Sequence, residues 1–294
     1  MTLFKGSIVA LITPMTETGA IDQESFKELI EWHIASKTDG IVIAGTTGES
    51  ATLDADEQFE LISLAVDQAA KRIPIIAGTG TNSTKTTIKL TENAKRAKAD
   101  ACLVVTPYYN KPTQNGLFSH YQAIADAVDL PMILYNVPGR TACDLLPETI
   151  ARLAEHPHII GVKEATGKIE RAQTIKKLIP NHFAIYSGDD LTALSLLQYA
   201  KADGVISVTA NLAPVKMHAL CSAIFSNDYA MATKINQTLT LLHERLFLES
   251  NPIPVKWALH HMKKIKSGIR LPLVSLDNKY HETVKEAMQH AGVI

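Results

Sequence analysis

The chain has 294 residues, 46% of them hydrophobic and 20% charged, and a formal net charge of −1. That is enough apolar material for a large core, at a length that α/β barrels reach as a single unit. A near-neutral chain has no general electrostatic attraction for nucleic acid or an anionic membrane surface, so small molecules or proteins are the expected partners.

In chain order, the first apolar run is "SIVALITP" (7–14). It is shorter than a signal-peptide core, and Thr13-Pro14 stands where a small-residue cleavage site would lie. No run approaches the ~18 apolar residues of a membrane span, and an untargeted cytoplasmic protein is expected. Seven further short runs follow: "GIVIAGTTG" (40–48), "IPIIAGTGT" (73–81), "ACLVVTPYY" (101–109), "PMILYNVPG" (131–139), "IIGVKEATG" (159–167), "FAIYSGDD" (183–190) and "GVISVTAN" (204–211). Each is rich in Ile and Val and continuous rather than alternating, as parallel strands covered on both faces are.

Segments of helical period lie between them. In "DQESFKELIEWHIASK", Phe26, Leu29, Ile30 and His33 share a face, with Asp22 as N-cap. "DADEQFELISLAVDQAAK" is expected to bury Phe59, Leu61, Ile62 and Val66. Pro147 suits a first helical turn, and Asp190 is the expected cap of "LTALSLLQYAK". Eight βα units in series predict a (β/α)8 barrel over residues 1–225, with an open doubly wound sheet as the alternative. Residues 226–294 read as a helical extension without a low-complexity linker. Cys102, Cys143 and Cys221 form no CxxC pair, which fits a reducing compartment, and Cys102 inside "ACLVV" reads as a buried structural thiol.

In such a barrel the active site forms at the C-terminal strand ends. Those ends carry Thr46 and Thr47, Tyr108 and Tyr109, Tyr135, Lys163 and Glu164, Ser187 and Gly188, then Ser207 and Thr209, with Arg140 just beyond Tyr135. Lysine is seldom buried unless paired, so Lys163 in an apolar run points to a pocket. A low-dielectric pocket disfavours a charged amine, and the neutral amine attacks carbonyl carbon to form a Schiff base. Tyr135 on the adjacent strand suits proton transfer, with Thr46 and Tyr109 as members of a hydroxyl network, and Thr47 suits a substrate carboxylate. Tyr108 reads as a core ring with its hydroxyl at the rim. "GTGTNS" lacks the third glycine of a dinucleotide fingerprint, "LLHERLF" has no second zinc-spaced histidine, and no metal site is expected.

Taken together, "GTTGESATL", "TPYYNKP", "YNVPGRT", "GVKEATG", "SGDD" and "GVISVTAN", with "NPIPVKWA" in the extension, make the whole chain resemble the dihydrodipicolinate synthase family of pyruvate-dependent Schiff-base enzymes. The resemblance implies a homotetramer, a dimer of tight dimers, that condenses pyruvate with L-aspartate-4-semialdehyde on the diaminopimelate route to lysine. It implies Lys163 as the Schiff-base residue and Tyr135 as acid/base. Thr46 would complete a relay with Tyr109 of the neighbouring subunit. Thr47 and the Ile206 backbone would hold pyruvate, Arg140 the aldehyde's carboxylate, and Gly188 would keep a pocket wall thin. Neither metal nor nucleotide cofactor is implied. Sister enzymes that act on sugar aldehydes tend to carry serine for Thr46 and lack Arg140, and a non-catalytic barrel has no use for the set. Ser50, Ala51, Asn82 and Tyr108 match parts of the family's lysine-inhibition site. Ala55, Gln58 and Thr86 stand where feedback-sensitive members commonly have His, His and Glu, which implies weak lysine inhibition.

Overall fold

The computed structural model describes residues 4–294, so Met1–Leu3 of the N-terminal stretch lie outside the described residues. Eight parallel strands form a closed barrel: β1 (Gly6–Ala10), β2 (Gly40–Ile43), β3 (Ile75–Gly78), β4 (Ala101–Val105), β5 (Met132–Asn136), β6 (Ile159–Glu164), β7 (Ala184–Ser187) and β8 (Gly204–Ser207). The helices between them are α1 (Gln23–Ala35), α2 (Ala55–Ala69), α3 (Thr84–Arg96), α4 (Gln114–Ala127), the single turn α5 (Pro138–Thr141), α6 (Pro147–Leu153), α7 (Ile169–Leu178) and α8 (Asp190–Tyr199). After β8 come α9 (Pro214–Phe225) and the extension helices α10 (Tyr229–Arg245), α11 (Ile253–His261) and α12 (His281–His290). Successive strands pair in order and β8 returns to β1, so the barrel replaces the open-sheet alternative. Among the described residues, no helix is long and apolar enough to cross a membrane.

Because side chains alternate along a strand, each strand feeds two cores. Ile8, Val42, Ile76, Leu103, Ile133 and Tyr186 fill the barrel interior. Val9, Ile41, Ile43, Val104, Leu134 and Val162 face outward and pack under the helices. Asp22 caps α1, which buries Phe26, Leu29, Ile30 and His33 as its period requires. Pro147 opens α6. On α2 the buried set is Gln58, Leu61, Ile62, Ala65 and Ala69; Phe59 and Val66 are only half-buried. The stripe is rotated from the expected one because Gln58 turns inward to donate to Gly78 O, while Phe59 lies under the Arg96 guanidinium. Asp189 caps α8 by accepting from Thr192 N (3.0 Å). The Asp190 carboxylate instead accepts from Val208 N and Thr209 N, both 2.9 Å away. Asp189 has the extended backbone of a cap, and Asp190, already inside the helix, faces the β8 loop.

His33 and His120 are buried, each with one ring nitrogen on a threonine hydroxyl and the other without a partner among the described residues. Burial, with Lys264 adding to it, holds His33 down to about 3, and burial holds His120 down to about 4. Both titrate normally once unfolded, so their contribution is intact above about 6.5 and is lost as pH falls toward the folded values. Each should cost about 2 kcal/mol of stability at pH 5. Urea unfolding should show a clear drop between pH 7 and pH 5; equal stability at the two pH values would contradict this account.

Candidate active site

The β5–β6 ladder places Tyr135 level with Lys163, and the β6–β7 ladder places Lys163 level with Tyr186. Lys163 is 6% exposed, with its Nζ 4.2 Å from the Tyr135 ring centroid. It has no carboxylate partner among the described residues. A buried amine that is not held in an ion pair is available for bonding to carbon. Its neighbour Glu164 points the other way, as strand alternation requires. The Glu164 carboxylate is fully buried outside the barrel, accepting from Arg171 Nε (3.0 Å), Asn136 Nδ2 (3.1 Å) and Thr166 N (2.9 Å). The pair of charged residues thus divides, one toward the barrel interior and one into a polar network that fixes the end of β6.

Gly188 follows β7 against this lysine. A Cβ at 188 would lie 2.6 Å from Ala165 Cβ and 2.9 Å from Lys163 Cε, both shorter than real contacts. Only glycine leaves the Lys163 side chain where it is. Ile206 lies in the interior on β8, level with Ile8 of β1.

The loop after β2 carries Thr46 and Thr47. Two of its non-glycine residues, Ala44 and Glu49, have left-handed backbones (φ 53° and 59°), a strained choice that the surroundings must enforce. Thr13 Oγ1 donates to Gly48 O (2.7 Å) from the β1 side. From the extension, Asn251 Nδ2 donates to Thr47 Oγ1 (2.9 Å), and the Lys256 ammonium donates to the buried Glu49 carboxylate. Arg270 donates its backbone N–H to Glu49 Oε2 (3.2 Å), and its guanidinium forks onto Glu57 and also reaches Thr52 O and Gly19 O. Burial pulls the Lys256 ammonium below the usual lysine range, while Glu49 beside it opposes that pull. The sequence reading did not single out Asn251, Lys256 and Arg270 as functional residues. The family-like segment "NPIPVKWA" holds Asn251 and Lys256, while Arg270 has no such local signal.

Thr46, Tyr108 and Arg140 line a cavity of ≈ 450 Å³ that continues past Ser50, Ala55, Gln58 and Thr86. Arg140 sits on the exposed turn α5, with no carboxylate partner among the described residues. Tyr108 is 40% exposed in this wall rather than a core ring, because the chain has already left β4 at Val105. Tyr109 is 88% exposed with a φ of 77°, and neither it nor Thr46 is hydrogen-bonded to Tyr135 within the described residues. The structure therefore joins Lys163, Tyr135 and Gly188 in one cluster and Thr46 with Arg140 in the adjoining cavity. It ties Thr47 to the extension and leaves Tyr109 outside. The three cysteines are buried and free, and burial pushes the Cys102 thiol up to about 12.

The dihydrodipicolinate synthetase family model matches residues 3–291. A 4-hydroxy-tetrahydrodipicolinate synthase from Methylococcus capsulatus is 58% identical over 292 residues, covering 99% of this chain and 100% of the relative. The synthase of the same description from Nitrosomonas europaea is 56% identical over 291 residues, covering 99% of each. The chloride-inhibited dihydrodipicolinate synthase of Acinetobacter baumannii, solved in complex with pyruvate, aligns with a TM-score of 0.97 at 52% identity, covering 99% of this chain and 100% of that one. Matched along nearly its whole length by the family model and by full-length relatives, the chain belongs to the dihydrodipicolinate synthetase family.

Proposed function

We propose that the chain is a 4-hydroxy-tetrahydrodipicolinate synthase, condensing pyruvate with L-aspartate-4-semialdehyde through an imine on Lys163. The observation that carries this reading is a buried lysine, unpaired with any carboxylate among the described residues, packed against a tyrosine at the C-terminal end of a barrel. Full-length relatives named for this activity support it. Lys163 Nζ adds to the pyruvate ketone, and loss of one water gives the iminium. The iminium draws electrons from the neighbouring C–H bond, so a methyl proton leaves and an enamine forms. The enamine carbon attacks the aldehyde, whose oxygen takes up a proton. The second substrate's amine then adds to the imine carbon, expels Lys163 and closes the ring. Water is lost once overall. Tyr135 is assigned the proton transfers, Thr47 and the Ile206 backbone the pyruvate carboxylate, and Arg140 the carboxylate of the aldehyde. The barrel of residues 1–225 supplies the reacting groups and residues 226–294 brace it, in a cytoplasmic enzyme that uses no cofactor beyond its own lysine.

Borohydride reduction in the presence of pyruvate should add mass to the Lys163 peptide; label on another lysine would overturn the assignment. Gly188→Ala should abolish the adduct by displacing the lysine stem. Arg140→Ala should retain it while losing about 30- to 1000-fold in kcat/KM for the aldehyde, the size of a charge pair desolvated on closing over the bound substrate. Loss of the adduct in Arg140→Ala with unchanged aldehyde kinetics would remove Arg140 from that role.

The exposed Tyr109 with its left-handed backbone is read as the residue lent to a neighbour's site in a dimer of tight dimers. Sedimentation and activity should then track each other on an interface variant, a folded monomer being nearly inactive. A fully active monomer would refute the shared site.

Weak feedback by lysine is the reading for the outer part of the cavity. Gln58 spends its amide on Gly78 O, Thr86 donates its hydroxyl to Ser83 Oγ (3.1 Å), and the Ala55 side chain has no polar atom. No carboxylate among these three meets a ligand ammonium, a loss worth about 1.5–3 kcal/mol. Activity against lysine at saturating pyruvate should show half-inhibition no tighter than about one millimolar. Inhibition in the micromolar range would contradict it.

A further inference from the structure

The amide of Asn251 and the hydroxyl of Thr47 are 204 residues apart in sequence and 2.9 Å apart in space. Both residues are buried, Thr47 at 3% and Asn251 at 6% exposure. Asn251 lies on the turn into α11, two residues before Ile253, and Thr47 lies in the strained loop after β2. A threonine hydroxyl has one proton and two acceptor lone pairs, and can swing about its C–O bond. Donation by Asn251 Nδ2 occupies one lone pair and restricts that rotation. The hydroxyl proton then has to be directed away from Asn251, toward an acceptor elsewhere.

We propose that Asn251 is a positioning residue for the keto acid: its amide locks the Thr47 hydroxyl as a donor, and so as a reader of the substrate carboxylate. The inference rests on the Schiff-base reading of Lys163 and extends it to a residue outside the barrel. The loop's own restraints make it a fixed platform: Thr13 on Gly48 O, and Lys256 and Arg270 on Glu49. A donor held on such a platform meets a carboxylate without first losing freedom, which favours ligand ground state and transition state alike. Such an effect falls on KM for pyruvate and leaves kcat nearly alone.

Three variants test this in the full-length enzyme, with thermal unfolding as a fold control. Asn251→Ala should raise KM for pyruvate by about 10-fold, the loss of one oriented hydrogen bond, with kcat and KM for the aldehyde changed by less than about 3-fold. Thr47→Val should raise the same KM, and the Thr47→Val/Asn251→Ala double variant should be no worse than Thr47→Val alone, since Asn251 acts through that hydroxyl. Asn251→Asp keeps the shape and replaces the donor with an acceptor that takes the Thr47 proton for itself. It should raise KM for pyruvate more than alanine does, and lowering the pH should relieve the defect. Additive effects in the double variant, or an Asn251→Ala enzyme with unchanged KM for pyruvate, would overturn the role while leaving the Lys163 imine intact. A wild-type enzyme that forms no borohydride-trapped pyruvate adduct would instead remove the reading on which the inference rests.

Discussion

The pairing of β1 with β8 closes the barrel, and every arrangement at the catalytic end follows from that closure. At the seam Gly6 is level with Gly204, and a Cβ on Gly204 would lie 2.2 Å from Gly6 O. Gly6 itself has a φ of 116°, and a Cβ there would overlap the Asp39 carboxylate, which accepts from Ser7 N and from His218 Nδ1. Gly204 thus lets the last strand close on the first, and Gly6 lets β1 pass the Asp39 carboxylate. Once the ring is shut, the parallel ladders allow no independent adjustment: Lys163 stands beside Tyr135 because the β5–β6 register puts it there. Tyr186, level with Lys163 on the other side, is consumed by the core, its hydroxyl donating to Phe4 O (2.8 Å). Of the two tyrosines flanking the lysine, only Tyr135 has a hydroxyl without a hydrogen bond inside the described chain.

The scaffold was legible because hydrophobic burial writes itself locally. Continuous runs of Ile and Val marked all eight strands, and Asp22 with the Phe26–His33 stripe marked the first helix. Strand ends were less legible. "TPYY" and "AGTTG" continue their runs past the last ladder residue, because loops at this face are themselves partly buried and a buried loop reads like a strand. Asp189 and Asp190 are chemically the same in sequence, and only the amides of Val208 and Thr209, 18 and 19 residues on, decide which one caps. Gln58 was hidden for a similar reason: a polar residue belongs to a core face only when a carbonyl waits there.

The residues proposed to react stood out as an anomaly, a lysine in an apolar run, and by their likeness to a family. Their supports were not. Asn251 and Lys256 have no periodicity or motif that points to residues more than 200 positions earlier. Long-range polar pairing leaves no local trace, since its partners are brought together only by the closed fold. Strand-end residues can therefore be read locally, while the groups that hold them in place emerge only once the fold is formed.

Those supports tie the extension to the loop after β2. The loop after β2 keeps two non-glycine residues in left-handed conformations, each costing about 1–3 kcal/mol. A solvent-exposed loop would relax. Here Glu49 is bound by Lys256 and by the Arg270 backbone, and neither charge of the buried pair reaches water. Pairs of this kind return little net stability against an apolar substitute, yet removing one partner costs about 3–5 kcal/mol. That asymmetry suits a device whose work is geometric: the pair tolerates one arrangement and penalises the rest. The neighbouring Thr47 hydroxyl shares that single arrangement through the loop and through its bond from Asn251, so residues of the extension, outside the barrel, hold a side chain at the strand ends in place.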